Sequence, residues 1–188
     1  GIMRFNIDGS PDNTFIEYSA VPANHNSMIV QQDDKILFTD RGYDAYVVRL
    51  NSDGTLDNAF NNNAPLYYNG EILALGLQPD GKILVSRYID TDPNEIDRLN
   101  ADGTHHASFS APTVSGYDVS VIKVQPDGKI LLGGYFPGGI IRLEPDGSPD
   151  LGFEVEVANE AVLDIALQPD GKILIAGDFT RVNDIPAY

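Results

Sequence analysis

The chain has 188 residues, with 28 Asp and Glu against 12 Lys and Arg, so its formal charge is −16. That charge repels nucleic acid and anionic membrane surfaces, which removes both as partners. The absence of cysteine excludes a disulfide framework, thiolate chemistry and Cys-ligated metal. Apolar residues make up 42% of the chain, ordinary globular usage, and no apolar run reaches the roughly 20 residues of a membrane helix. The start at Gly1-Ile2-Met3 reads as processed, tagged or excerpted, and no signal-peptide pattern is present.

Two phrases alternate along the chain. The first opens it as Arg4-Phe5-Asn6-Ile7-Asp8-Gly9, and returns as Arg49-Leu50-Asn51-Ser52-Asp53-Gly54, Arg98-Leu99-Asn100-Ala101-Asp102-Gly103 and Arg142-Leu143-Glu144-Pro145-Asp146-Gly147. Each copy ends in a phenylalanine 11 residues after its arginine: Phe15, Phe60, Phe109 and Phe153. The second phrase is Gln-Pro-Asp-Gly-Lys-Ile-Leu, beginning at Gln78, Gln125 and Gln168, with a degenerate copy at Gln31 that has Gln32 and Asp34 in place of Pro and Gly. Four identical spacings establish a repeat of 43–47 residues.

Each phrase reads as a turn between strands. Pro-Asp-Gly sets Pro where a fixed φ fits and Gly where φ must be positive, between Ile72 to Leu77 and Lys82 to Val85, or Val119 to Val124 and Lys129 to Leu132. Asp-Gly then follows strands at Tyr46 to Leu50 and Gly139 to Leu143. The substitutions in the first copy predict a looser turn there. Helical periodicity is absent, so the chain is expected to be all-β, with four antiparallel strands per repeat, as in a propeller blade. The expected single domain, 1–188, divides into blades at 16–60, 61–109, 110–153 and 154–188, the last completed by 1–15. That phase predicts a four-bladed ring closed by pairing of Ile2 to Phe5 with the C-terminal half-repeat, and a monomer, or part of a longer chain.

The Gln-Pro-Asp-Gly-Lys-Ile-Leu phrase, the Gly-Gly or Gly-Asp-Phe exit and Arg-Leu-Asn-x-Asp-Gly together resemble the delta-60 repeat, a β-propeller-like repeat of bacterial multi-repeat proteins. The resemblance covers essentially the whole chain. It implies a propeller fold and an extracellular or cell-surface location, and it brings no catalytic motif. The third copy departs from the pattern, with His106 where Asp12, Asp57 and Asp150 stand.

Candidate sites are few. The Asn/Glu-x-Asp-Gly-x-x-Asp stretches group oxygen donors as a calcium site does, but the spacing is not that of an EF-hand loop, and aspartates in such turns cap their own backbone. His25, His105 and His106 lack converging ligands, and adjacent His105 and His106 would face opposite sides of a strand. The reading is therefore no cofactor, no metal and no catalytic residue, with calcium as the weak exception. Ten residues past each turn glutamine stand Arg41, Tyr88, Tyr135 and Asp178, with Tyr43, Arg87 and Arg181 beside them. These differ between copies where the scaffold agrees, and equivalent strand exits surround one end of a ring, so they form the candidate ligand site. Tyr67-Tyr68 make a second adhesive candidate. The function expected is a non-catalytic extracellular binding or structural module for a protein or glycan. The alternatives are a lectin-like propeller with tyrosines stacked on sugars, and a carboxylate-based enzyme acting on glycans at the channel mouth.

Overall fold

The computed structural model describes residues 1–19, 27–40, 44–64, 67–68, 70–89, 92–112, 118–158 and 161–186. The chain is built from short antiparallel meanders in the order the repeat dictates. The first is β1 (Met28–Val30), β2 (Ile36–Asp40) and β3 (Asp44–Leu50), followed by a single helical turn, α1 (Asn58–Asn61). A short strand, β4 (Tyr67–Tyr68), adds to β3. The second meander is β5 (Gly70–Leu77), β6 (Ile83–Ile89) and β7 (Asp92–Leu99); the third is β8 (Val119–Val124), β9 (Ile130–Gly134) and β10 (Ile140–Leu143). The last repeat holds β11 (Val157–Ala158), β12 (Val162–Leu167), β13 (Ile173–Gly177), β14 (Arg181–Val182) and β15 (Ile185–Pro186).

Each meander turns at the Gln phrase. In the Gln78 copy the Gln78 amide donates to Lys82 O at 2.9 Å and the Gly81 amide to Gln78 O at 2.9 Å, with Gly81 at φ 82°. The degenerate copy is no looser. Gln31 and Lys35 make the same bond at 2.8 Å, and Asp34 takes the left-handed position at φ 62°, a conformation Asp tolerates better than most residues.

The fourth strand of each repeat is not the full strand expected from the sequence. It shrinks to single bridges, Phe5 with Pro11, Leu50 with Leu56, Leu99 with His105 and Leu143 with Pro149. Beyond the bridge the chain curls back, because the phenylalanine amide bonds the carbonyl three residues earlier: Phe15 to Asp12, Phe109 to His106 and Phe153 to Asp150. In the Phe60 copy this curl becomes α1, whose N-cap Asp57 accepts from the Phe60 amide at 3.3 Å.

Neighbouring repeats pack through one recurring leucine. Leu37 belongs to a core cluster with Ile72 and Ile83 of the next meander, Leu84 to one with Ile122 and Ile130, and Leu131 to one with Val162 and Ile165. All three leucines are fully buried. Between the outer parts of the repeats lies a latch. Each arginine of the first phrase stacks on its own phenylalanine, with guanidinium carbons 4.9, 4.2, 4.3 and 4.5 Å from the ring centres of Phe15, Phe60, Phe109 and Phe153. It then reaches into the next repeat's Asp-Gly turn: Arg4 to Ser52 O at 2.6 Å, Arg49 to Ala101 O at 2.7 Å and Arg98 to Pro145 O at 2.9 Å. The turn glycine presses on the same ring. A Cβ on Gly103 would stand 2.7 Å from Phe60 O, so no larger residue fits.

No sheet is closed among the described residues. Ile2, expected to pair with the C-terminal half-repeat, bridges Tyr18 instead, with the Ile2 amide donating to Tyr18 O at 3.0 Å. The reason is local. Residues 1–15 already form the outer part of a blade lying over the first meander, where Ile2, Phe15 and Tyr18 share a core cluster with Phe38 and Leu50.

Candidate functional site

Three of the inner strands open with a bulge, at Ile72/Ala74 in β5, Val119/Val121 in β8 and Val162/Asp164 in β12. β1, β5, β8 and β12 line one shared cavity of about 430 Å³. Its wall is mostly aliphatic, with Ser27, Ser120, Lys123 and Asp164 as polar members. Lys123 and Asp164 are both exposed, which brings one charge of each sign to the channel. Sequence reading passed over these residues. The available signal was their position two and four places before the turn glutamines Gln125 and Gln168, on the inner strands.

Hydroxyls fasten this wall across blades. Ser27 Oγ accepts from the Leu75 amide at 3.2 Å, and Ser86 Oγ donates to Val119 O at 2.7 Å while accepting from the Ala74 amide at 3.1 Å. Ser86 is only 1% exposed, so both bonds are shielded from water.

Three of the sequence-derived site residues stand beside the starts of the inner strands. Tyr88 pairs with Glu71 near the start of β5, the Tyr135 amide donates to Asp118 O at 2.8 Å beside the start of β8, and the Asp178 amide to Ala161 O at 3.0 Å beside β12. The structure thus sets Tyr88, Tyr135 and Asp178 at equivalent places on three successive repeats. Tyr135 is 47% exposed. Arg87 is engaged across the sheet with Glu95 and, at 3.6 Å, with Asp97. Arg181 lies exposed on β14, opposite Pro186 and Ala158. Arg41, Tyr43 and His25 lie outside the described residues, while Tyr67-Tyr68 form β4 against Asp44 and Ala45.

The repeated aspartates serve their own turns. Asp8, Asp53, Asp102 and Asp146 each accept from the amide and hydroxyl of the residue two places on, at 2.6–3.0 Å. At Asp8, Asp53 and Asp102 the hydroxyl and then the amide hold the carboxyl below its ordinary range; at Asp146 the amide contributes most. Among the described residues no three acidic or histidine side chains converge as metal ligands. His105 lies 3.5 Å from Asp97, and His106 3.4 Å from Arg98, on separate partners.

His106 marks a defect in the latch. Asp12, Asp57 and Asp150 receive the Nε of Arg4, Arg49 and Arg142 at 2.7–2.9 Å, whereas among the described residues Arg98 has no carboxylate there and its buried Nε meets no partner. Burial pushes the Arg98 guanidinium down from its ordinary value, offset in part by Asp80 and Asp146. His106→Asp is expected to restore the bond and raise stability by about 1–3 kcal/mol, the range for a hydrogen bond to a charged group. A urea titration checks this, and an unchanged midpoint would show that Arg98 needs no carboxylate.

Comparison with known proteins agrees with this architecture. The family model described as "Domain of unknown function (DUF5122) beta-propeller" matches residues 31–60, 125–153 and 168–187. No curated protein matches the chain. Among solved structures, a gluconolactonase from Xanthomonas campestris is similar with TM-score 0.60 and 18% identity, over 93% of this chain and 61% of that one. Virginiamycin B lyase from Staphylococcus aureus is similar with TM-score 0.55 and 19% identity, over 80% of this chain and 48% of that one. The chain therefore spans less than two thirds of either. With the blade order and shared inner channel described above, these matches make the chain a β-propeller-like repeat protein.

Proposed function

We propose that the chain is a non-catalytic binding or structural module of a bacterial extracellular or cell-surface protein, taking a protein or glycan ligand at the channel end. The observation that supports this reading is the placing of Tyr88, Tyr135 and Asp178 at equivalent strand exits on three successive repeats. Arg41, Tyr43, Arg87 and Arg181 belong to the same proposed site. The extracellular location rests on the likeness to the delta-60 repeat. No cofactor is assigned, and the engagement of the turn aspartates with their own amides supports leaving calcium out.

A lectin-like version has one observation in its favour, the half-exposed ring of Tyr135, since an exposed aromatic face stacks on a sugar face. Binding of the intact protein to a glycan array tests it. Tyr135→Ala is expected to weaken the strongest signal at least tenfold with an unchanged melting temperature, because the ring is not part of the core. Retained binding would remove Tyr135 from the site. The lactonase and lyase among the similar structures prompt the opposite test. Turnover of gluconolactone, virginiamycin B or glycoside substrates by the purified chain would overturn the non-catalytic reading.

A further inference from the structure

Three of the four arginine phrases carry an aspartate eight residues on, and each seats that carboxylate in the same kind of cradle. One oxygen takes the cations. Oδ2 of Asp12 receives Arg4 Nε at 2.7 Å, and that of Asp57 receives Arg49 Nε at 2.9 Å and Lys35 Nζ at 3.0 Å. That of Asp150 receives Arg142 Nε at 2.7 Å and Lys129 Nζ at 2.8 Å. The other oxygen faces the main chain. Oδ1 of Asp12 accepts from the Thr14 amide at 2.9 Å and the Thr14 hydroxyl at 2.6 Å, that of Asp150 from the Gly152 amide at 3.0 Å, and that of Asp57 from the Phe60 amide at 3.3 Å. The cradle favours the ionised form: Lys129 first, then the Gly152 amide and Arg142, hold Asp150 at about 2.

The third copy keeps the donors and has exchanged the acceptor. The His106 amide donates to Arg98 O at 2.8 Å, as the amides of Asp12, Asp57 and Asp150 donate to Arg4, Arg49 and Arg142 at 2.9–3.0 Å, so the backbone is placed alike. Arg98 is 9% exposed, and its buried Nε meets no acceptor among the described residues. Ser108 follows His106 by two places, as Thr14 and Gly152 follow their aspartates, and its amide meets no acceptor among the described residues. Lys82, the counterpart of Lys35 and Lys129, turns back to Asp80 of its own turn. The half-buried His106 ring does not replace the carboxylate. Its Nδ1 lies 3.4 Å from both Arg98 Nη2 and Ser108 Oγ, beyond the roughly 2.7–3.2 Å of a well-made bond, so the ring is held loosely. Asp80 and Asp146 also face Arg98, but Asp80 bonds Lys82 and Asp146 bonds Ser148, each within its own turn.

We propose that the third copy binds a small free carboxylate, of formate or acetate size, between Arg98, Lys82 and Ser108, with the His106 ring turned out to solvent. One ligand oxygen accepts from Arg98 Nε and Lys82 Nζ, and the other from the amide and hydroxyl of Ser108. A buried cationic donor without an acceptor is costly, and a charge-assisted bond to a carboxylate is the strong way to satisfy it. Two oxygens set apart in one plane suit these two groups of donors, whereas a single chloride reaches only one of them. The sister carboxylate at Asp57 is 7% exposed, so the depth of the cradle suits an acid with a methyl group or less behind its carboxylate. The same guanidinium donates to Pro145 O of the next repeat at 2.9 Å, so the ligand steadies the joint between the two repeats. The inference does not depend on the ligand reading at the strand exits.

Thermal unfolding of the intact chain at neutral pH is expected to shift upward by roughly 2–5 °C in sodium formate or acetate over sodium chloride at equal ionic strength, and the shift should saturate. His106→Ala removes the ring and should bind acetate at least about tenfold more tightly. His106→Asp supplies the carboxylate from the chain itself and should not respond. In nitrogen–proton correlation spectra of the intact chain, acetate should move the Nε–H of Arg98 and the amide of Ser108 together. The Arg98 signal is identified as the arginine Nε–H that shifts in His106→Asp, so Arg98 itself need not be changed. Equal stabilisation by chloride and acetate overturns the proposal, since ionic strength alone would then act. So does a response retained in His106→Asp, and so does an acetate effect that leaves both signals in place. Phosphate acting at lower concentration than acetate would overturn it as well, because charge and not the carboxylate shape would then select the ligand.

Discussion

Replacing Phe60 with alanine is expected to lower the unfolding free energy by about 3–5 kcal/mol, the usual range for a buried aromatic ring. Phe60 is fully buried, shares a core cluster with Leu37, Ile72 and Leu99, carries the Arg49 guanidinium on its face and closes against Gly103 of the next repeat. Truncation therefore opens a cavity between two repeats and leaves a buried cation without its aromatic support. The same change at Phe153 should cost distinctly less, because that ring is only half-buried. Urea unfolding of the two variants measures the difference. Equal losses would mean that the spacing from arginine, and not burial against a following repeat, sets the contribution of these rings.

The second large effect is expected at Asp57. Its carboxylate receives Arg49 at 2.8–2.9 Å and Lys35 at 3.0 Å and caps α1, all at a site where Asp57 and Arg49 are 7% and 8% exposed. Asp57→Ala leaves a buried guanidinium without its counter-charge, at a cost of about 3–5 kcal/mol. The equivalent change at Asp12 should cost far less, since its partner Arg4 is 40% exposed and the pair is screened by solvent. Acid should act through the same groups. Burial pushes the Asp57 carboxyl up, but Lys35, the Phe60 amide and Arg49 outweigh it and hold it low. Lys129 first, then the Gly152 amide and Arg142, bring Asp150 to about 2; the Thr14 hydroxyl and amide and then Arg4 do the same for Asp12. A carboxyl lowered by folding stabilises the native state above its unfolded value, near 3.8, and loses that contribution as pH falls through the folded one. Stability should thus hold above about pH 5 and fall steeply between 4 and 2. A fluorescence or circular dichroism titration of the urea midpoint against pH checks the window.

The repeat phrases made the meanders and their turns legible, because Gly-bearing turns and short aliphatic runs have one economical arrangement. The 11-residue interval from Arg98 to Phe109 was equally plain, but not its meaning. A stack within one repeat followed by a bond to Pro145 O in the next is a long-range contact, and no local spacing encodes its acceptor. The curl at Asp57 was hidden because Asp-Asn-Ala-Phe looks like the end of a strand until the cap is seen. At the site, Tyr88, Tyr135 and Asp178 could be aligned by register alone. Lys123 and Asp164 were harder to find, since they stand at different distances, two and four places, before their turn glutamines.

The acceptors of the latch are main-chain oxygens, and they belong to three different residue types, Ser52, Ala101 and Pro145. A carbonyl is present whatever the side chain, so beyond the turn glycine the donor repeat places little demand on the sequence it grips. In this chain the same grip is made on three different residues without a matching change in the arginine that makes it. Such a joint suits growth by duplication of units, and it leaves the strand exits free to differ while the inner strands stay the same.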